Sequence, residues 1–204
     1  TGVTATVGPA ALRVVLNILR MRETTTIPVR ALPRRTVYFH APLRRANLQY
    51  SVRMRPSSAQ AAQRLIASYI LDHHEGHSGI VYCLSRKDTH TMADALAQHS
   101  SGRIRTGVYH SDLDEAEKHR VHAQWRTGAI QVVCATIAFG MGIAKGDVRF
   151  VVHACISKSL EGYYQETGRA GRDGAPSDCV LLYRAAADMS RVCGMTAREV
   201  GAQA

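Results

Sequence analysis

The sequence predicts an α/β fold, a parallel sheet covered by helices on both faces to give three αβα layers. Three observations predict it. Short apolar runs of strand length recur at residues 79–84, 107–109, 131–135, 149–153 and 179–183. Helical stretches separate most of them. Strands that are apolar almost throughout are buried on both faces, which is the condition of a parallel sheet between two helical layers. The right-handed crossover rule then limits how such units connect.

The elements follow in order. Leu12, Val15, Leu16 and Leu19 make an i, i+3, i+4, i+7 stripe, so residues 9–21 read as an amphipathic helix with Pro9 near its first turn. Residues 22–36, rich in Thr, Pro and Arg, read as a linker. Residues 59–73 form a helix with Ala62, Leu65, Ile66 and Ile70 on one face. The segment His73-His74-Glu75-Gly76-His77-Ser78 reads as an exposed loop in preference to a metal site, because no Cys or carboxylate cluster completes a ligand set. Gly79–Leu84 is the first strand. Ser85 with Asp88 three residues on matches a capping box opening a helix to about His99. Gly107–Tyr109 is a strand, and Leu113–Arg126 is a helix closed by Gly128. Trp125 follows Val121 at helical spacing and is assigned to the core, while Phe139 in its glycine-flanked loop stays open. Gln131–Ala135, Arg149–His153 and Cys179–Tyr183 are strands, with a helix from Leu160 to about Ala170.

The chain has 204 residues, enough for one ordinary domain or one domain and a piece of another. Its formal net charge of +10 favours a polyanionic partner, nucleic acid first. Five cysteines, an odd number with no C-x-x-C unit, argue against a zinc site or a disulfide framework and fit a reducing intracellular compartment. No apolar run is long enough to cross a bilayer, so no membrane partner is expected. The start at Thr1 suggests a fragment.

In an open α/β sheet, ligands bind beyond the carboxyl ends of the strands. Three segments fall there. Ser85-Arg86-Lys87 combines a hydroxyl, two cations and a helix start, the makings of a phosphate corner. Tyr109-His110-Ser111 adds an imidazole and a hydroxyl, and Thr136 opens a loop rich in glycine. Each alone is more often an ordinary βα loop. Gln165-Glu166-Thr167-Gly168-Arg169-Ala170-Gly171-Arg172-Asp173-Gly174 sets two arginines three apart among small residues. On a helix they share a face, and their rigid guanidinium forks suit a phosphate chain held by a facing domain. A solvated basic helix end is the plainer alternative.

The order of these segments resembles the second RecA-like lobe of the RecQ-family DNA helicases of superfamily 2. Ile80–Arg86 is similar to motif IV, Val133–Ile143 to motif V and Tyr163–Gly174 to motif VI. Thr4-Ala5-Thr6 resembles motif III at the end of a first lobe, and Ala46-Asn47-Leu48 the Arg-Pro-Asn-Leu segment leading into the second. The resemblance implies a RecA-like fold and a division into 1–36 (end of the first lobe and linker), 37–190 (C-terminal lobe) and 191–204 (start of a truncated extension). It implies ATP-dependent 3′–5′ unwinding of DNA in repair or recombination, with nuclear localisation in a eukaryote. It further implies that Arg172 is an arginine finger for ATP, that Arg169 assists it, and that Gln165 links nucleotide to lobe closure. Ser85, Arg86, His110 and Thr136, with Lys145 a weaker candidate, would contact the tracked strand of single-stranded or duplex DNA. The partner within a parent chain would be the first RecA-like lobe, which would hold most of the ATP and Mg²⁺.

Departures accompany the resemblance. Ile143-Ala144-Lys145-Gly146-Asp147 stands where the family has Gly-Ile-Asn-Lys-Pro, and Ala46 where it has proline. The chain holds no G-x-x-x-x-G-K-[ST] loop and no Asp-Glu-x-His motif, so it is expected to hydrolyse little ATP by itself. A non-catalytic nucleic-acid-binding lobe, a relic of a decayed gene, and an RNA helicase or chromatin translocase of the same superfamily are the alternatives. The wording of residues 165–174 favours RecQ over the last two.

Overall fold

The computed structural model describes residues 9–21, 24–25, 36–37, 44–140, 145–185 and 187–189. The chain divides into two compact units, Thr1–Ala46 and Asn47–Ala204. In the first, α1 spans Pro9–Ile18. Two short strands pair in parallel, β1 (Thr24–Thr25) inside the segment expected to be a linker and β2 (Thr36–Val37) at its end. Thr4 and Thr6 lie outside the described residues.

The second unit holds β3 (Leu48–Met54), α2 (Ala59–His74), β4 (Ser78–Tyr82), α3 (Arg86–His99), β5 (Thr106–Tyr109), α4 (Glu115–Thr127), β6 (Val132–Ala135), β7 (Val148–His153), α5 (Leu160–Thr167) and β8 (Ser177–Tyr183). The six strands form one sheet in the order β3-β8-β7-β4-β6-β5, and every neighbouring pair is parallel. Strand alternation divides the core. Val81, Cys83, Val132, Cys134, Phe150 and Val152 point to the side of Ile66, Ile70, Met92 and Leu96 from α2 and α3. Ile80, Tyr82, Val133, Ala135 and Val151 point to the other side, onto Val121 and Trp125 of α4, Phe139 and Ala170. Two apolar clusters, one on each face, are what three αβα layers require.

Local chemistry sets the ends. Ser85 caps α3 with both arms of the capping box made. Asp114 caps α4, and Gly128 closes it at φ 84°. Trp125 is buried, its indole N–H donating to the Gly79 carbonyl at 3.3 Å. Phe139 is buried as well, edge-on to Trp125 and Tyr109. Cys83, Cys134, Cys155 and Cys179 are free thiols.

Three expectations need correction. β3 is a sixth strand, not anticipated, lying at the sheet edge beside β8. α5 ends at Thr167, so Arg169 and Arg172 do not share a helical face; they sit in consecutive turns that Gly171, at φ 54°, carries away from the helix path. His74 belongs to the last turn of α2 and is buried, not exposed in a loop. Its Nε2 lies 3.0 Å from Asp178 Oδ2, which also accepts from the Tyr69 hydroxyl at 2.6 Å. Burial holds the His74 pKa below its ordinary value, against the pull of Asp178, with His77 and His73 adding to the lowering.

Candidate nucleotide and nucleic-acid interface

The parallel strands all end at one rim, and part of the predicted set lies there. Ser85 follows β4, His110 follows β5 and Thr136 follows β6, whereas the turns after α5 that carry Arg169 and Arg172 lead to the opposite ends of the strands, where the Gly171 amide donates to the carbonyl of Val148, the first residue of β7, at 2.8 Å.

Ser85 is occupied by its own cap. Its hydroxyl donates to Asp88 Oδ2 at 2.8 Å and accepts from the Asp88 amide at 3.2 Å. A carboxylate therefore already sits at this helix start. Arg86 is exposed and ion-paired with Asp112. His110 is buried, its Nε2 3.1 Å from Nε2 of His90. Its pKa is lowered by burial first, then by the charges of His90, Arg86 and Lys118. The Thr136 hydroxyl accepts from the Ala138 amide at 3.4 Å, and its carbonyl accepts from the Phe139 amide at 3.0 Å, so the threonine shapes the loop after β6. Lys145 turns inward. Its ammonium donates to the Arg126 carbonyl at 3.2 Å, pairs with Asp147 at 3.1 Å and lies 5.7 Å over Trp125, with the side chain 8% exposed. In this structure it faces its own domain, away from a passing strand.

Arg169 reaches back to the loop after β6. Its Nη1 donates to the Gly140 carbonyl at 2.5 Å. Gly140 permits this approach, since a Cβ there would stand 2.8 Å from Arg169 Nη2. The Arg169 Nε–H is buried without a protein acceptor. Arg172 and Gln165 are exposed.

Further residues around the arginine turns and α5 were not among the predicted site residues. Asn47 donates to the carbonyls of Gly171 at 2.8 Å and Ala175 at 2.9 Å, clamping the arginine turns. His153 ends β7 and meets Glu166 in the interior. A histidine closing the apolar run Phe150-Val151-Val152 was the available signal for His153, and an acid beside Gln165 the signal for Glu166. Arg149 grips Asp173 through both carboxylate oxygens at 2.7 Å, which with the Ala175 amide holds the Asp173 pKa below the carboxylate range.

Residues 60–174 match the family model of the helicase conserved C-terminal domain. The chain belongs to that family. Among curated relatives, this helicase C-terminal domain is 46% identical over 166 residues to ATP-dependent DNA helicase Q1 of Rattus norvegicus, covering 81% of this chain and 26% of that one. It is 44% identical over 160 residues to ATP-dependent DNA helicase Q-like 2 of Arabidopsis thaliana, covering 78% and 22%. It is 41% identical over 181 residues to the RecQ-like DNA helicase BLM of Xenopus laevis, covering 88% and 12%. The chain thus spans about a quarter of the Q1 helicase's length. The RecQ resemblance read from the motifs is the one these relatives carry. Among solved structures, the fold matches Dbp5 of S. cerevisiae bound to RNA and ADP BeF3, with TM-score 0.66 at 18% identity over 94% of this chain and 47% of that one. It also matches the E. coli DEAD-box protein SrmB, with TM-score 0.60 at 20% identity over 72% and 82%. The RecA-like architecture of this helicase C-terminal domain is shared with both.

Among the described residues of this domain, no helix is long and apolar enough to cross a membrane. Nor does any group of three or more His, Cys, Asp or Glu side chains among them converge as a metal would require. The fit to a nucleotide is better: a buried guanidinium N–H without a partner suits an anionic oxygen.

Proposed function

We propose that this chain is the C-terminal lobe of a RecQ-like, ATP-dependent 3′–5′ DNA helicase acting in repair or recombination. The observation that carries the proposal is Arg169, whose Nε–H is buried and unpartnered while its Nη1 donates to Gly140 in the loop after β6. An orphaned charged donor is costly, and a phosphate oxygen offers the missing acceptor. Arg172, exposed three residues on, serves as the finger toward the γ-phosphate, and Gln165 senses the nucleotide from the end of α5. ATP and its Mg²⁺ rest mainly on the first lobe of the parent chain, because this chain has no phosphate loop. ATP supplies the phosphoryl chemistry, while these arginines orient and neutralise its charge.

The strand track runs along Arg86, His110 and Thr136, with Ser85 at its start. Contacts of this kind read phosphates, not bases, so they hold a single strand without sequence preference. Hydrolysis alternates the parent between closed and open lobe arrangements, each with a different grip. The chain alone is inactive in this scheme.

Fluorescence anisotropy of a labelled single strand, titrated with this chain across a salt series, tests the track. Weak binding that falls steeply with salt is expected. No binding at low salt would sink the assignment of the rim. Robust ATP turnover by the chain alone would overturn the division of labour between lobes.

A further inference from the structure

Glu166 is an acid enclosed by the domain, 9% exposed, and nothing in the proposed chemistry uses it. One of its carboxylate oxygens, Oε2, accepts from Ser157 Oγ at 2.6 Å and lies 2.8 Å from Nε2 of His153. A carboxylate only accepts, so the imidazole presents its Nε2–H, and Nδ1 is left as a buried lone pair without a partner. The His153 ring stacks on Tyr82 at 5.1 Å and packs against Tyr163 at 4.8 Å. The Tyr82 hydroxyl donates to the Phe139 carbonyl at 3.0 Å. The next carbonyl, Gly140, is the one that receives Arg169. The path from Glu166 through His153, Tyr82 and the loop after β6 returns to Arg169, three residues beyond its start.

The end of α5 at Thr167 gives this closed path its meaning. Beyond that residue the backbone continues in turns: the Arg169 amide donates to the Glu166 carbonyl at 3.3 Å and the Ala170 amide to the Thr167 carbonyl at 3.0 Å, and from Gly171 onward it leaves the helix path for the Val148 carbonyl. Glu166 fixes the last turn before the break to β7, and Arg169 fixes the first turn after it to the loop following β6. A buried carboxylate is also a poor choice for packing alone, since an apolar side chain of similar size fills a core without a desolvation cost. We infer that Glu166 and His153 are positioning residues for the arginine pair, a buried strut that sets where the two guanidinium groups stand relative to a nucleotide on the facing lobe. This rests on the proposed function of those arginines. Displacement of a catalytic group by about 1 Å can cost on the order of 100-fold in rate, so the strut acts through turnover, not through binding of the nucleic acid.

The experiment uses the full-length parent chain and measures DNA-stimulated ATP hydrolysis, single-strand affinity by anisotropy, and thermal midpoint together. Glu166→Ala is expected to lower kcat at least tenfold with the DNA Kd within twofold of wild type. Glu166→Gln, which keeps one oxygen to receive His153 and Ser157, should recover most of the rate. Ser157→Ala, which deletes one of the two bonds, should fall between them with its thermal midpoint unchanged; it and Glu166→Gln decide the matter if Glu166→Ala does not fold. Wild-type kcat in Glu166→Ala or Ser157→Ala would overturn the inference and leave the proposed function standing. Parallel loss of kcat, DNA affinity and thermal midpoint would reduce the strut to ordinary core packing and overturn it too. A wild-type parent without DNA-stimulated hydrolysis would overturn the proposed function, and the inference with it.

Discussion

The side-chain amide of Asn47 donates to the Gly171 carbonyl at 2.8 Å, joining the residue before β3 to the turn between the two arginines. Gly171 is itself enclosed. Its φ is 54°, and a Cβ on it would stand 2.5 Å from Asn47 Nδ2, 2.7 Å from Ser177 Oγ and 2.8 Å from the Ala175 carbonyl. Gly171→Ala combines backbone strain with overpacking and should cost about 2–4 kcal/mol. Asn47→Ala strips the donor from two carbonyls and should cost about 1–3 kcal/mol. Because Asn47→Ala also clears one of the three obstructions, the double variant should lose less than the sum. Urea unfolding of the four proteins measures this; strict additivity would show that the two residues do not share a site.

Acid should weaken the domain near neutral pH through its buried histidines. The His74 and His110 pKa values are both lowered by burial first. A histidine whose folded pKa lies below the unfolded value of about 6.5 is held neutral by the fold. Its contribution is complete above the unfolded value and is lost as pH falls through the folded one, because the unfolded state then binds more protons. The urea midpoint should therefore fall between pH 7.5 and 5.5. His74→Gln should flatten part of that slope and leave the part owed to His110. An unchanged slope would show that His74 does not carry the linkage.

What could be read without coordinates was whatever depends on local order. The apolar strands, the Ser85 box and the Gly128 stop come from neighbours within a few residues, and the structure places them within one or two residues of expectation. β3 alternates apolar and polar from Leu48 to Met54, a legible pattern, but its pairing with β8 spans more than a hundred residues of chain. His74 looked exposed because its neighbours are polar; Asp178, which brings it inside, is far away in sequence. The end of α5 was hidden for a related reason. Gly168, Ala170 and Gly171 do not forbid another turn by themselves, and only the Asn47, Ser177 and Val148 contacts show where the backbone must go. Lys145 was recognisable as a cation, but not as one folded over Trp125.

Arg86 is held by a competitor. Its ion pair with Asp112 joins two exposed side chains, a contact contributing on the order of 0–1 kcal/mol to stability. In the proposed track a strand phosphate must displace that carboxylate. Asp112→Asn should therefore tighten single-strand binding and leave the urea midpoint nearly unchanged. Arg86→Ala should weaken binding and flatten the salt dependence by roughly one counterion. In an Arg86→Ala background, Asp112→Asn should gain much less, which separates release of Arg86 from a general change of charge. Equal gains in both backgrounds would place the effect in net charge and not in this pair.

Arg172 and Arg169 should fail differently when changed. Arg172 is exposed beyond the end of α5, while Arg169 also ties the loop after β6 through Gly140. In the full parent chain, Arg172→Lys keeps the charge but loses the planar fork, so it should nearly abolish ATP hydrolysis, about 1000-fold or more by the usual weight of an arginine finger. DNA affinity should stay at wild type. Arg169→Lys should lower hydrolysis and the thermal midpoint together, because the guanidinium bond to Gly140 goes with it. Hydrolysis at the wild-type rate in Arg172→Lys would remove the residue from the chemistry. If instead Arg172→Lys and Arg86→Ala lost hydrolysis and DNA binding to the same extent, the separation of a nucleotide site from a strand track would fail.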